Sequence, residues 1–242
     1  MTDEPIPVDV PFEEPKVSFL RQLEWYNPDE DPQPDIHIVG CGGIGSFVGY
    51  YAAQMGLKNL ILWDRDTVEP HNLPNQNFLV EHLGLKKTEA LADLIKRKVE
   101  LEVKIKDRFF TDDSKVNNGI VIAATDSISS RKTIWNAVKG KPEVQWFIDG
   151  RLGGQAFQVF VINPNDPDDI RFYESTLFES GEADPLPCTA KAVIFVGAHI
   201  AALMCQQLRC VLKGEGHFRN INIDHLNGII EYDGQALMPK KR

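Results

Sequence analysis

Cysteine is scarce in this 242-residue chain, and the scarcity excludes two classes at once. Cys41, Cys188, Cys205 and Cys210 form no Cys-x-x-Cys pair. No structural zinc ribbon is therefore expected, and four scattered thiols are no framework for a secreted disulfide scaffold. Clustered basic residues are missing too. The formal net charge is -9, and the closing Lys240-Lys241-Arg242 is too short to form a nucleic-acid-binding face. The start, Met1-Thr2-Asp3-Glu4-Pro5, lacks the basic and apolar regions of a signal peptide, so the cytoplasm is the expected address. Long apolar runs are few. Ala192 to Leu212 raises the membrane question, but His199, Gln206, Gln207 and Arg209 interrupt it, and a buried core helix is expected instead of a membrane contact. The six histidines show no metal-ligand spacing.

What is present is enough apolar content, 43%, to bury a sizeable core without metals or disulfides. The acids are unevenly spread: residues 1 to 34 hold nine of them against Lys16 and Arg21. With Pro5, Pro7, Pro11 and Pro15 among these acids, 1–34 reads as an acidic Pro-rich arm, extended or disordered until it meets a surface. Phe19 to Tyr26 reads as a short helix inside it. The main domain is 35–242.

Along that domain, periodicity predicts a buried strand at Asp35 to Val39 and a helix from Gly43 to Met55, then a strand at Asn59 to Trp63. Asp66 to Val80 has no apolar period and reads as a long loop, of the kind that often carries function. A helix over Leu85 to Glu100 and strands at Leu101 to Ile105 and Gly119 to Ala124 follow. Next come a helix at Ser130 to Val138 and strands at Val144 to Asp149 and Gln155 to Ile162. Asn163 to Asp169 and Glu179 to Pro187 read as loops, Ala190 to Leu212 as the long helix, and Ile221 to Asp224 with Ile229 to Tyr232 as a closing hairpin. Strands that alternate with helices argue an α/β, Rossmann-like, doubly wound and mostly parallel sheet, here with an antiparallel C-terminal extension.

Two turns point to function. Gly40-Cys41-Gly42-Gly43-Ile44-Gly45 follows the first strand, where Gly40, Gly42, Gly43 and Gly45 let the backbone bend and present N–H groups to a phosphate. Asp64-Arg65-Asp66 closes the second strand and offers a carboxylate where a ribose would lie. Taken alone, this pairing is the usual fingerprint of an NAD site. Asp126 lies at the carboxyl end of a predicted strand, where open α/β sheets bind ligands, although an aspartate there also suits a helix N-cap.

These and further spaced residues resemble the ThiF/MoeB/HesA group, adenylating enzymes of the ubiquitin-activating superfamily. The resemblance runs from about Phe19 to Leu212. Gly40 to Gly45 looks like that group's ATP turn, and Asp64-x-Asp66-x-Val68-Glu69 like its acidic strand end. Asn72-Leu73-Pro74-Asn75-Gln76 is similar to an Asn-Leu-x-Arg-Gln signature, Gly84-Leu85-Lys86-Lys87 to a Gly-x-x-Lys, and Asp126 to Arg131 to an Asp-x(4)-Arg. Gly153-Gly154-Gln155 and Cys188 are weaker matches.

The resemblance implies ATP and Mg²⁺, and a product acyl-adenylate made from the C-terminal carboxylate of a small ubiquitin-like or sulfur-carrier protein, or of a peptide. It implies that Asp64 and Asp66 serve the nucleotide, that Asn72 and Gln76 orient phosphate oxygens and that Lys87 neutralises leaving charge. It makes Asp126 the magnesium ligand. Arg21-Gln22 resembles an N-terminal pair whose arginine reaches into a neighbouring subunit, which implies a homodimer. Cys188, with Lys191 one helical turn on, is a candidate nucleophile. One departure matters: Asn75 stands where the group has arginine and cannot offset a phosphate charge, a role that Lys86 or Arg65 would have to take. An NAD-dependent oxidoreductase and a catalytically silent nucleotide-binding scaffold remain as alternative functions.

Overall fold

A computed structural model describes residues 17–177 and 193–233. Its frame is one eight-stranded sheet in the order β3-β2-β1-β4-β5-β6-β7-β8. The strands are β1 (Asp35–Val39), β2 (Leu60–Trp63), β3 (Lys104–Lys106), β4 (Gly119–Ala123), β5 (Val144–Gly153), β6 (Ala156–Ile162), β7 (Asn220–Asp224) and β8 (Ile229–Asp233). The first five pair in parallel and the last three join antiparallel, which is the expected doubly wound sheet with its extension. β4, Gly-Ile-Val-Ile-Ala, is buried at every position because helices cover both faces of the parallel half.

Helices α1 (Gly45–Gln54), α2 (Lys87–Val99) and α5 (Ile194–Leu212) cover one face of the sheet; α3 (Ile128–Val138) and α4 (Pro167–Ser175) cover the other. α5 is long and apolar enough to cross a bilayer, yet Val196, Ile200, Met204 and Leu208 are fully buried and the helix packs against α1, β5 and β6. It is a core helix, as its polar interruptions predicted.

Three local expectations need correction. Phe19 to Tyr26 forms hydrogen-bonded turns, because Pro28 disfavours a helical Asn27 and the segment is only two turns long. The loop expected to end at Asp169 instead starts α4. Asp166 accepts hydrogen bonds from the N–H groups of Asp168 and Asp169, and Pro167 takes the first helical position, where its missing N–H costs nothing. The strand expected at Leu101 to Ile105 is the short exposed edge Lys104–Lys106. Pro5 to Pro15 of the arm, Glu179 to Pro187 and the closing basic residues lie outside the described residues.

Candidate active site

The sheet order places β1 beside β4 while their connections diverge to β2 and β5, which opens a crevice at the carboxyl ends of β1 and β4. Into it runs a cleft of about 1350 Å³. The glycine turn leaves β1 at Gly40, whose φ of +93° is a left-handed conformation, and a Cβ on Gly45 would sit 1.8 Å from the Gly40 carbonyl oxygen. Gly40, Gly42 and Gly43 line the cleft, and the N–H groups of Gly42 and Gly43 have no acceptor among the described residues. Gly45 does not line it; its role is to let α1 start against the turn. Two free amides at a helix N-terminus form an anion cradle.

Asp64 follows β2 and braces this cradle. Its carboxylate accepts from the Cys41 N–H at 2.8 Å and the Asp66 N–H at 2.9 Å, with lone pairs left for a ligand. Cys41 itself is inert: burial, then the neighbouring Asp64 charge, pushes its thiol well above the ordinary range. Asp66 pairs with Lys87 Nζ at 3.1 Å, and Lys87 is 8% exposed although it opens α2. Its amide donates to the Asp66 carbonyl. Lys87 is thus held over the cleft and is no solvated lysine.

The loop between β2 and α2 contains short 3-10 helices at Pro70–Asn72 and Val80–His82. Asn72 is buried, and its side chain accepts from the Glu69 N–H at 3.0 Å, a bond that shapes the loop. Among the described residues, Asn75 Oδ1 and Gln76 Oε1 are buried without a partner, as is Thr125 Oγ1 at the end of β4. All three residues line the cleft. Unpartnered polar atoms at this concave surface mark where a polar ligand would sit.

Asp126 also lines the cleft. It is exposed and makes no hydrogen bond or ion pair among the described residues. The N-cap of α3 is Ser127, which accepts from the Ser130 N–H at 3.2 Å, so the capping alternative to a site role for Asp126 does not hold. A free carboxylate beside a phosphate cradle suits Mg²⁺, which commonly takes one or two carboxylates and completes its shell with water and substrate phosphates.

Sequence reasoning missed the support beneath this rim. Asp149 on β5 is fully buried between two arginines: Arg131 Nε donates to Oδ1 at 2.9 Å and Arg151 Nε to Oδ2 at 2.7 Å. Tyr173 OH also donates to Oδ2 at 2.9 Å. Burial, then the Asp149 charge, pushes that phenol well above its ordinary range, so it stays a donor. Arg131 Nη2 goes on to donate to the carbonyls of Thr125 and Gly150, which ties the loop that carries Asp126 to β5. The Asp-x(4)-Arg spacing signalled Arg131 alone; its partner lies 18 residues away.

The cations settle differently from expectation. Lys86 does not border the cleft; its Nζ donates to the Arg65 carbonyl at 2.7 Å. Arg65 does border it, with its guanidinium 4.3 Å from the Phe109 ring centroid, and so does Arg108, which sequence reasoning had not singled out. Arg21 is exposed and borders no part of this cleft. The adjoining Gln22 donates to the Met55 carbonyl at the far end of α1, about 15 Å of helix from the glycine turn. Cys188 lies outside the described residues.

A family model described as the ThiF family matches residues 33–235. Among curated proteins, the chain is similar to ubiquitin-like modifier-activating enzyme 5 of Drosophila mojavensis, with 31% identity over 48% of this chain and 33% of the relative. It is also similar to the ATP-dependent ubiquitin transferase-like protein Cap2 of Vibrio cholerae, at 34% identity over 38% of this chain and 17% of that protein. The alignments thus span a third or less of these relatives' lengths. Among solved structures, PaaA superposes with a TM-score of 0.68 at 17% identity, covering 93% of this chain and 77% of its own. E. coli MccB with ATP superposes with a TM-score of 0.65 at 20% identity, covering 88% and 67%. At such identities these two speak for the fold.

Proposed function

The chain belongs to the ThiF family, and on that premise we propose that it is an ATP-dependent adenylyltransferase acting on the C-terminal carboxylate of a small ubiquitin-like protein, a sulfur carrier or a peptide. A carboxylate oxygen attacks the α-phosphorus of ATP, the bond from that phosphorus to the bridging oxygen breaks, and pyrophosphate leaves with the electron pair. The product is an acyl-adenylate. Both reactants are anions, so the site's task is to supply donors and positive charge in a fixed arrangement.

One observation carries the reading: the amides of Gly42 and Gly43, Asp126 and the buried side-chain oxygens of Asn75 and Gln76, all without a partner among the described residues, meet buried Lys87 in one cleft. Asp64 is assigned to the ribose hydroxyls, Lys87 to the departing pyrophosphate, and Asn72, Asn75 and Gln76 to the loop that faces the phosphates. Asp126 would hold Mg²⁺, which when bound neutralises phosphate charge. Arg65 and Arg108 supply the positive charge that Asn75 does not. The similarity to a ubiquitin-like modifier-activating enzyme, and the fold shared with a protein crystallised with MccA, support a protein or peptide carboxylate as the acyl donor. Arg21, remote from its own cleft, is assigned to the cleft of a second copy in a homodimer.

ATP–pyrophosphate exchange in the presence of carrier proteins or peptides ending in Gly-Gly tests this. Exchange that requires both magnesium and the carboxylate is the expected result. ATP binding without exchange would favour the silent scaffold, to which the loss of the arginine at Asn75 points. Protection from heat by NAD but not by ATP with magnesium would overturn the reading.

A further inference from the structure

Two histidines outside the cleft meet at the start of α5. His199, on the second turn of that helix, and His225, in the turn between β7 and β8, bring Nδ1 and Nε2 to 3.1 Å of each other. In the chain they lie 26 residues apart, so no ligand spacing announces the pair. Their ring centroids are 5.1 Å apart, which leaves the two nitrogens pointing inward at one another. Three elements hold the rings in place. Phe157 on β6 meets His199 edge-on at 5.1 Å and His225 at 5.8 Å, Phe195 meets His225 at 5.8 Å, and the His225 N–H donates to the Gln155 carbonyl at 3.1 Å.

The charge around the pair favours a cation. Ile194 to Ala201 on α5 and the turns Gly153 to Gln155 and Asp224 to Gly228 contain no lysine or arginine, and their one carboxylate is Asp224. Burial, then the neighbouring His225, pulls His199 below its ordinary range, so that ring is a neutral ligand near pH 7. A second cluster offers a contrast. Glu81, His82 and Asp93 also come within 4.8 Å of one another, but His82 Nδ1 accepts from the Leu79 N–H at 3.1 Å, so Nε2 keeps the ring proton and donates to Asp93. Arg97 already pairs with both carboxylates there. His199 and His225 meet neither obstacle.

We propose that His199 and His225 form a binding site for one divalent transition-metal ion of the zinc class, with water completing its shell. Imidazole nitrogen suits zinc, nickel and copper, whereas magnesium prefers oxygen. Two bonds of about 2.05 Å to nitrogens 3.1 Å apart meet at about 98°, and a widening of about 0.25 Å brings the tetrahedral angle. The ion is structural: it ties the start of α5 to the β7–β8 turn. That start abuts the phosphate turn, since a Cβ on Gly197 would lie 2.6 Å from the Gly43 carbonyl oxygen. The site stands apart from the adenylation reading.

The test adds Zn²⁺ to the metal-free full chain with Mg²⁺ in excess. Titration calorimetry should show one zinc bound per chain in the micromolar range, and zinc at about 100 times its Kd should raise the thermal midpoint by about 5–10 °C. His199→Gln and His225→Gln should each weaken binding about tenfold or more and remove the rise, whereas Glu81→Gln should change neither. A crystal soaked in zinc should give an anomalous peak about 2.1 Å from both nitrogens, a readout that needs no variant. No binding up to millimolar zinc, a peak elsewhere, or affinity retained in both histidine variants would overturn the site.

Discussion

The two halves of the sheet are built by different rules. In the parallel half, β1, β2 and β4 are buried on both faces, and chemistry appears only where strands end, at Gly40, Asp64 and Asp126. In the antiparallel half, one face packs on α5 while the other presents a polar row, Arg151, Gln158, Asn222 and Glu231, that ends at an exposed edge strand. A strand buried on both faces leaves only its termini for a ligand, whereas a half-buried strand offers every second residue. The parallel half thus offers a ligand one crevice at its strand ends, and the antiparallel half an extended polar face.

The largest test strikes the seam, since β5 belongs to both halves. Asp149→Ala leaves Arg131 and Arg151 buried without their shared carboxylate and should cost about 3–5 kcal/mol, read as a lower urea midpoint. A loss below about 1 kcal/mol would mean that the halves are not joined there.

Next comes His37, inside the parallel half. Its Nδ1 accepts from Trp63 Nε1 at 3.2 Å, and burial lowers its pKa to about 4. The neutral ring is the native form, so its contribution is complete above pH ~6.5, the unfolded value, and declines as pH falls toward 4. Unfolding at graded pH should show a loss of about 3 kcal/mol over that window, absent in His37→Phe. An identical decline in the variant would place the pH sensitivity elsewhere.

At the rim, Lys87→Ala and Asp126→Ala should each slow pyrophosphate exchange about 100-fold while leaving the unfolding midpoint of Asp126→Ala unchanged. Undiminished exchange in both would move the site.

The sequence reading was strongest where structure is local. Period-2 and period-3.6 patterns, with glycines at strand ends, marked β1, α1, β4 and the closing hairpin, and they placed Gly42, Asp64 and Asp126 at one edge. α4 escaped because its apolar residues are few, although Asp166-Pro167 is a start signal that could have found it. The Asp149 network escaped for another reason: a buried ion pair between residues 18 apart leaves no periodic trace. Lys86 and Arg65 read alike in sequence, and only the fold separates the one that borders the cleft.

The most direct measurement is a crystal structure with a nonhydrolysable ATP analogue and Mg²⁺. The account predicts phosphate oxygens on the Gly42 and Gly43 amides, the metal on Asp126 and an open groove over Gln158 and Asn222. A triphosphate lying along that groove, or a cradle left empty at saturating nucleotide, would contradict it.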